Sequence, residues 1–131
     1  MTEQRKIKVV IVDDEELARE DFKRLLQKFD NIDLADEAVS LKDAIEKCNS
    51  HKPDVVFLDI QLANESGFDL IDHLDQSTKV IFVTAFDEYA IKAFEVSAYD
   101  YLLKPVTFER LQQSIEKVAA FDEYETKSEK S

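Results

Sequence analysis

The chain is short of residues that make sharp turns. Its 131 residues include one glycine, Gly67, and two prolines, Pro53 and Pro105, so its segments must be joined mainly by short polar loops. A single cysteine, Cys48, excludes an internal disulfide framework and suits the cytoplasm. Cations are scarce too: 17 Lys and Arg stand against 29 Asp and Glu, a net charge of −12. Direct nucleic-acid binding takes clustered cations to neutralise phosphates, which this balance argues against. The acidity fits basic or phosphate-bearing partners, although a solvated surface explains most of it. No apolar run approaches the roughly 18 residues of a membrane span. The polar stretch from Met1 to Lys8 leads straight into a strand pattern, so it reads as no signal peptide. Core material is plentiful, because 44% of the residues are hydrophobic, which argues against disorder. The length suits one domain with its own core.

Four short apolar runs organise what is present. Val55-Val56-Phe57-Leu58 is apolar on both faces, as in the interior of a parallel sheet, and runs into Asp59. Val9-Val10-Ile11-Val12 ends in Asp13-Asp14, Val80-Ile81-Phe82-Val83 ends in Thr84, and Tyr99 to Leu103 ends in Lys104-Pro105. A weaker strand spans Ile32 to Val39, where Asp36 and Glu37 suggest an edge or half-exposed position. Helical spacing of apolar residues predicts helices over Glu15 to Phe29, with Leu17/Ala18, Phe22, Leu25/Leu26 and Phe29 on one face, and from the N-cap Ser40 to about Ser50. Further helices are expected from Ser66 or Gly67 through Leu74, over Asp87 to Phe94, and from the cap Thr107 to about Phe121. Alternating β and α units define a doubly wound parallel sheet, since each parallel crossover takes a helix. Residues 1–121 are read as the domain. Residues 122–131 lose apolar periodicity and read as a polar tail or the start of a linker.

If the strands are parallel, their carboxyl ends share one edge, where open α/β sheets bind ligands. Asp13, Asp14, Asp59, Thr84 and Lys104 would then form a pocket. Clustered carboxylates repel one another unless a cation joins them. Oxygen-only ligands suit Mg²⁺, which keeps waters and accepts phosphate oxygens. Lys104 adds a compact positive charge and Thr84 a donor. This set favours phosphoryl transfer, with Asp59 as the acceptor in the absence of a Gly-rich phosphate loop or another suitable nucleophile.

These landmarks carry a resemblance. Asp13-Asp14, Asp59, Gly67, Thr84-Ala85, and Tyr101 three residues before Lys104-Pro105 resemble the CheY-like receiver domain of two-component response regulators over about Lys8 to Phe121. The resemblance implies a (βα)5 flavodoxin-like three-layer sandwich with a five-stranded sheet. It also implies phosphorylation of Asp59 by the phosphohistidine of a sensor histidine kinase. Mg²⁺ would be held by Asp14, Asp59 and the main-chain carbonyl of Gln61, with Asp13 acting mainly through water. Thr84 and Tyr101 would be a switch pair, and Lys104-Pro105 a cis bond. Gln61 and Phe86 fall where the family tunes phosphate lifetime, and the bulk of Phe86 is expected to hinder water. Ala63 stands where the family often has proline, which is expected to loosen the loop.

The stretch Thr84 to Phe94, with Asp100 to Pro105, is similar to LytR/AlgR receivers, whose LytTR domain binds DNA. DNA contact would then run only through a C-terminal domain absent from this chain. Output is expected through the fourth helix, fifth strand and fifth helix, roughly Asp87 to Val118, by homodimerisation. Such a switch would be cytoplasmic, without membrane contact, and no enzyme beyond its own phosphorylation and autodephosphorylation.

Two other readings compete. A Mg²⁺-dependent phosphohydrolase with an Asp nucleophile generally needs a second Asp two residues later as acid and base, and here Gln61 stands there. A pseudo-receiver that only binds a partner should have lost some of the pocket residues. Asp13 or Asp14 could alone be helix caps, Tyr101 plain core, and Tyr89, Ala90, Ala93 and Phe94 a core stripe or, in part, a partner surface. His51 and His73 read as solvated, and Cys48 as a small buried hydrophobe.

Overall fold

The structure, a computed structural model, describes residues 6–130, with side chains as far as Phe121. Five strands form one parallel sheet: β1 (Ile7–Val12), β2 (Ile32–Ala38), β3 (Val55–Leu58), β4 (Lys79–Thr84) and β5 (Asp100–Leu103), in the spatial order β2-β1-β3-β4-β5. Between them lie α1 (Glu16–Leu26), α2 (Leu41–His51) and α3 (Ala90–Glu95), and α4 (Phe108–Lys130) follows β5. The strand order doubles back between β1 and β3, so the crevice for a ligand falls there.

Side-chain alternation along the strands builds two apolar layers. Val9, Ile11, Phe57, Ile81, Val83 and Leu102 pack against Phe22 and Leu26 of α1 and Leu111, Ile115 and Val118 of α4. Val10, Val12, Val56, Leu58 and Phe82 pack against Ala44 and Cys48 of α2, Leu70 and Ala93. The flavodoxin-like sandwich follows from this two-sided burial. Cys48 is buried, and burial pushes its thiol up to about 11, which leaves it unreactive at neutral pH.

Local differences from the sequence reading have physical reasons. Leu17 is 78% exposed, because α1 turns its contact face through Phe22 and Leu26 instead. The segment after Gly67 is a 3-10 helix, Gly67–His73, rather than an α-helix. The fourth predicted helix shrinks to six residues, burying Ala93 and leaving Phe94 84% exposed. The last helix does not stop near Phe121 but continues to Lys130.

The edge position of β2 agrees with its polarity. Glu37 accepts from Arg19 at 2.8 Å and Lys23 at 2.7 Å on the α1 side. Asp36 meets His51 at 3.1 Å and Lys47 at 3.6 Å on the α2 side. His51, expected in solvent, is therefore half-buried and paired. The register slips by one between Val9 and Val10, leaving Ala35 as a bulge.

Candidate functional site

The sheet's hydrogen-bond ladder continues one residue past several strands and sets the site. Asp59 N–H donates to the Val12 carbonyl at 2.9 Å, Asp13 N–H to Ala38 at 3.1 Å, and Lys104 N–H to Thr84 at 2.8 Å. Three chemically active residues are thus fixed at the carboxyl edge by backbone pairing. Lys104 Nζ donates to Asp13 Oδ2 at 2.7 Å and to Asp59 Oδ2 at 2.9 Å. Asp13 and Asp59 are buried, 5% and 7% exposed. The Lys104–Pro105 peptide bond is cis.

One ammonium shared by two carboxylates leaves an excess negative charge. Burial raises the Asp59 carboxyl above its ordinary value; Lys104 opposes this, and Asp13 adds to it. Burial works against the Lys104 charge, but the hydrogen bonds it donates to Asp13 and Asp59 outweigh it and hold its pKa above the ordinary lysine value. The trio is ready to receive further positive charge.

Asp14 stands apart from the trio. Its Oδ2 accepts from the Ala63 N–H at 2.9 Å, across the loop that follows Asp59. The pocket expected to gather three carboxylates directly brings two onto Lys104 and engages the third with the backbone. Asp13 and Asp14, which alone could have been helix caps, precede α1, whose N-cap is Glu15; Asp13 Oδ1 accepts from the Glu15 N–H at 2.9 Å. Arg19, which sequence reasoning passed over, donates to the Asp13 carbonyl at 2.8 Å and so ties α1 to the site.

Gln61 N–H reaches Asp59 Oδ1 at 3.3 Å, and Gln61–Leu62 pairs with Glu65–Ser66 in a small antiparallel hairpin. Ala63, at its tip, has φ 46°, in the left-handed region. Proline cannot adopt that φ and has no N–H to give Asp14. The loop at Ala63 is therefore held by a specific bond, and not loosened as the missing proline suggested. Ala63→Gly is expected to stabilise the fold by about 0.5–1 kcal/mol, and Ala63→Pro to destabilise it by about 2 kcal/mol or more, read by urea unfolding. No sequence signal marks this position, because Asn64 beside it is the more usual left-handed residue.

Thr84 is fully buried, and its Oγ1 accepts from the Phe86 N–H at 3.4 Å. The Tyr101 hydroxyl donates to the Phe86 carbonyl. The two residues expected to form a switch pair are thus joined through one peptide segment, with Tyr101 half-buried against Phe82. Beside the trio, a cleft of about 520 Å³ opens between α1 and the loop after β5, floored by Phe22, Phe57 and Val83.

The donor set is of a kind that binds hard cations. Asp13, Asp14, Asp59 and the Gln61 carbonyl are hard oxygen donors without a histidine or thiolate, which suits Mg²⁺ in chemistry. Among the described residues no three acidic, His or Cys side chains converge as a coordinating group. The donors suit the ion in kind, while Asp13 and Asp59 are engaged by Lys104 and Asp14 by the Ala63 N–H.

A parallel sheet with acidic strand ends at its switch point, faced by a lysine before a cis-proline, defines a doubly wound α/β domain with a charged site at the carboxyl edge of its sheet. The profile described as the response regulator receiver domain matches residues 9–116, and the chain belongs to this family. It is 44% identical over 114 residues to the sensory transduction protein LytT of Bacillus anthracis, covering 85% of this chain and 46% of LytT. It is 47% identical over 114 residues to the transcriptional regulatory protein BtsR of Salmonella typhi, covering 86% of this chain and 48% of BtsR. The chain thus spans about half the length of these relatives. Among solved structures, the REC domain of AraT, a response regulator from Geobacillus stearothermophilus, superposes with TM-score 0.81 at 31% identity, covering 92% of this chain and 98% of that one. Receiver domains bind Mg²⁺, interact with histidine kinases and can dimerise, and they are not enzymes of the ordinary kind. No helix among the described residues is long and apolar enough to cross a membrane.

Proposed function

We propose that this receiver takes a phosphoryl group on Asp59 from a histidine kinase and switches an output face. The observation that carries the proposal is the buried Asp13–Lys104–Asp59 arrangement at the sheet's switch point. In the transfer, an Asp59 carboxylate oxygen bonds to phosphorus as the P–N bond of the phosphohistidine breaks, and the freed imidazole takes a proton. Mg²⁺, held by Asp14, Asp59 and the Gln61 carbonyl with Asp13 acting through water, would supply positive charge to the phosphoryl oxygens. Lys104 neutralises charge beside Asp59, and the Thr84 hydroxyl turns from the Phe86 N–H toward the phosphoryl group. That turn releases one hold on the segment that also carries the Tyr101 hydrogen bond, and so reaches the output face.

Support for a dimerising face comes from Ile91, Phe94 and Leu103, which are 77%, 84% and 46% exposed on α3 and β5. The greater length of the relatives supports an output domain beyond residues 122–131, and the resemblance to LytR/AlgR receivers supports one of the LytTR DNA-binding type. We place the protein in the cytoplasm, with autodephosphorylation as its only other chemistry.

The test is intact mass after incubation with Mg²⁺ and acetyl phosphate. Wild type is expected to gain one phosphoryl group, dependent on Mg²⁺, and Asp59→Asn none. Continuous donor hydrolysis by both proteins without an adduct would sink the proposal.

A further inference from the structure

Tyr89 stands just before α3 and touches residues of the segments that follow β3 and β4. Its hydroxyl lies 3.5 Å from Gln61 Nε2, at the long end of hydrogen-bonding distance. Its ring meets Phe86 edge-on, with centroids 6.2 Å apart at 78°. On its other side it meets Phe68, again at 6.2 Å and 64°. Phe68 in turn packs on the core residue Phe82 at 5.0 Å, and the Lys92 ammonium lies 4.5 Å from the Phe68 ring centre. Tyr89 is therefore braced through a row of rings to the centre of the sheet. Such aromatic contacts hold geometry as well as burying area.

What Tyr89 braces are Gln61 and Phe86, each two residues past a site residue, Asp59 and Thr84. Gln61 sits two residues past Asp59, with its N–H on Asp59 Oδ1. Its amide is the neighbouring side chain able to orient a water over a phosphoryl group on Asp59. Tied to Tyr89, that amide is turned toward α3. Phe86 is 36% exposed, with its backbone held by Thr84 and Tyr101, so only its ring is free to move, and that ring rests on Tyr89.

We propose that Tyr89 is a positioning residue that lengthens the life of the phosphorylated state, its hydroxyl holding the Gln61 amide away from Asp59 and its ring seating Phe86 as a shield. This rests on the reading that Asp59 carries the phosphoryl group. In the decay, a water oxygen bonds to phosphorus, and the Asp59 Oδ–P bond breaks with its electron pair returning to the carboxylate. Inorganic phosphate leaves, and the water's proton passes to phosphate or solvent. Tyr89 touches none of these atoms and acts through Gln61 and Phe86.

The experiment loads the full chain with acetyl phosphate and Mg²⁺, removes the donor, and follows the remaining adduct by intact mass. Tyr89→Phe keeps the ring and frees Gln61, so decay is expected about threefold faster, and Tyr89→Ala, which also unseats Phe86, about tenfold faster. In a Gln61→Ala background, Tyr89→Phe should add nothing, because the hydroxyl acts through that amide. A purely structural role would not produce this dependence. Wild-type decay in Tyr89→Phe, or the same acceleration with Gln61 absent, overturns the inference while leaving Asp59 phosphorylation standing. A wild-type chain that never gains a phosphoryl group overturns both. Should Tyr89→Ala not fold, Tyr89→Phe and the double variant decide the matter.

Discussion

Gly67→Ala is expected to unfold at markedly lower urea and to load phosphate at least ten times more slowly than wild type. A Cβ built on Gly67 would lie 2.2 Å from the Asp59 carbonyl oxygen and 3.1 Å from both the Asp59 carbonyl carbon and the Ile60 Cα. All three are backbone atoms, so no side chain can swing aside. The Gly67 N–H already donates to the Ile60 carbonyl at 2.6 Å, which fixes the two segments against each other. Replacing glycine by alanine in a helical turn ordinarily gains about 1 kcal/mol in propensity. Forcing a methyl group into a filled space costs about 1–3 kcal/mol, and more against rigid backbone, so sterics win and a net loss of about 2 kcal/mol is expected. The relief must come from moving the end of β3, which carries Asp59. A displacement near 1 Å at a reacting group can lower a rate by about 100-fold. Urea unfolding and adduct formation with acetyl phosphate check the two halves. Wild-type stability together with wild-type loading would show that the loop yields without disturbing Asp59.

Lys104→Ala should cost about 2–4 kcal/mol at neutral pH, since removing one partner strands buried charge. Asp13 and Asp59 would then face each other with only solvent to separate their charges. The deficit should shrink on acidification. Asp59 already has a native pKa above its ordinary 3.8, so it takes up a proton before the unfolded chain does, and stability is gained as pH falls into that window. Without the ammonium the window widens upward. The deficit should shrink again with Mg²⁺, which replaces the missing positive charge. In wild type the Lys104 contribution is complete below 10.5 and lost as pH rises through its higher native pKa. Urea unfolding of both proteins at pH 5 and pH 7, with and without Mg²⁺, gives the answer. A deficit unchanged across all four conditions would mean that the ammonium does not balance the carboxylates.

The sheet was legible because its central strands hold unbroken apolar runs, Val9 to Val12, Val55 to Leu58 and Val80 to Val83, each stopping at a polar residue. Val55 to Leu58 and Val80 to Val83, short and rich in β-branched residues, read as strands buried on both faces, as observed. The polarity of Asp36 and Glu37 placed their strand at the edge, as observed. The helix opening at Gly67 was legible from Phe68, Leu70, Ile71 and Leu74, but spacing alone does not tell its 3-10 form from an α-helix. Leu17 satisfies helical spacing too, but the register of α1 is set by Phe22 and Leu26, which meet Phe57 and the sheet. The meeting of Asp13, Asp59 and Lys104 could be inferred from strand ends alone. The bond from Ala63 to Asp14 could not, since it depends on a left-handed residue that composition does not announce.

The rim strand β2 bears on how copies of this protein can associate. An open strand offers unpaired amides and carbonyls to any passing chain. Here that strand carries charge pairs on both of its faces and a kink at Ala35, so a neighbour laid alongside it would meet Asp36 and Glu37 already committed to cations and a backbone out of step. Sheet extension across molecules is thereby disfavoured at this rim, whatever surface the rest of the fold offers.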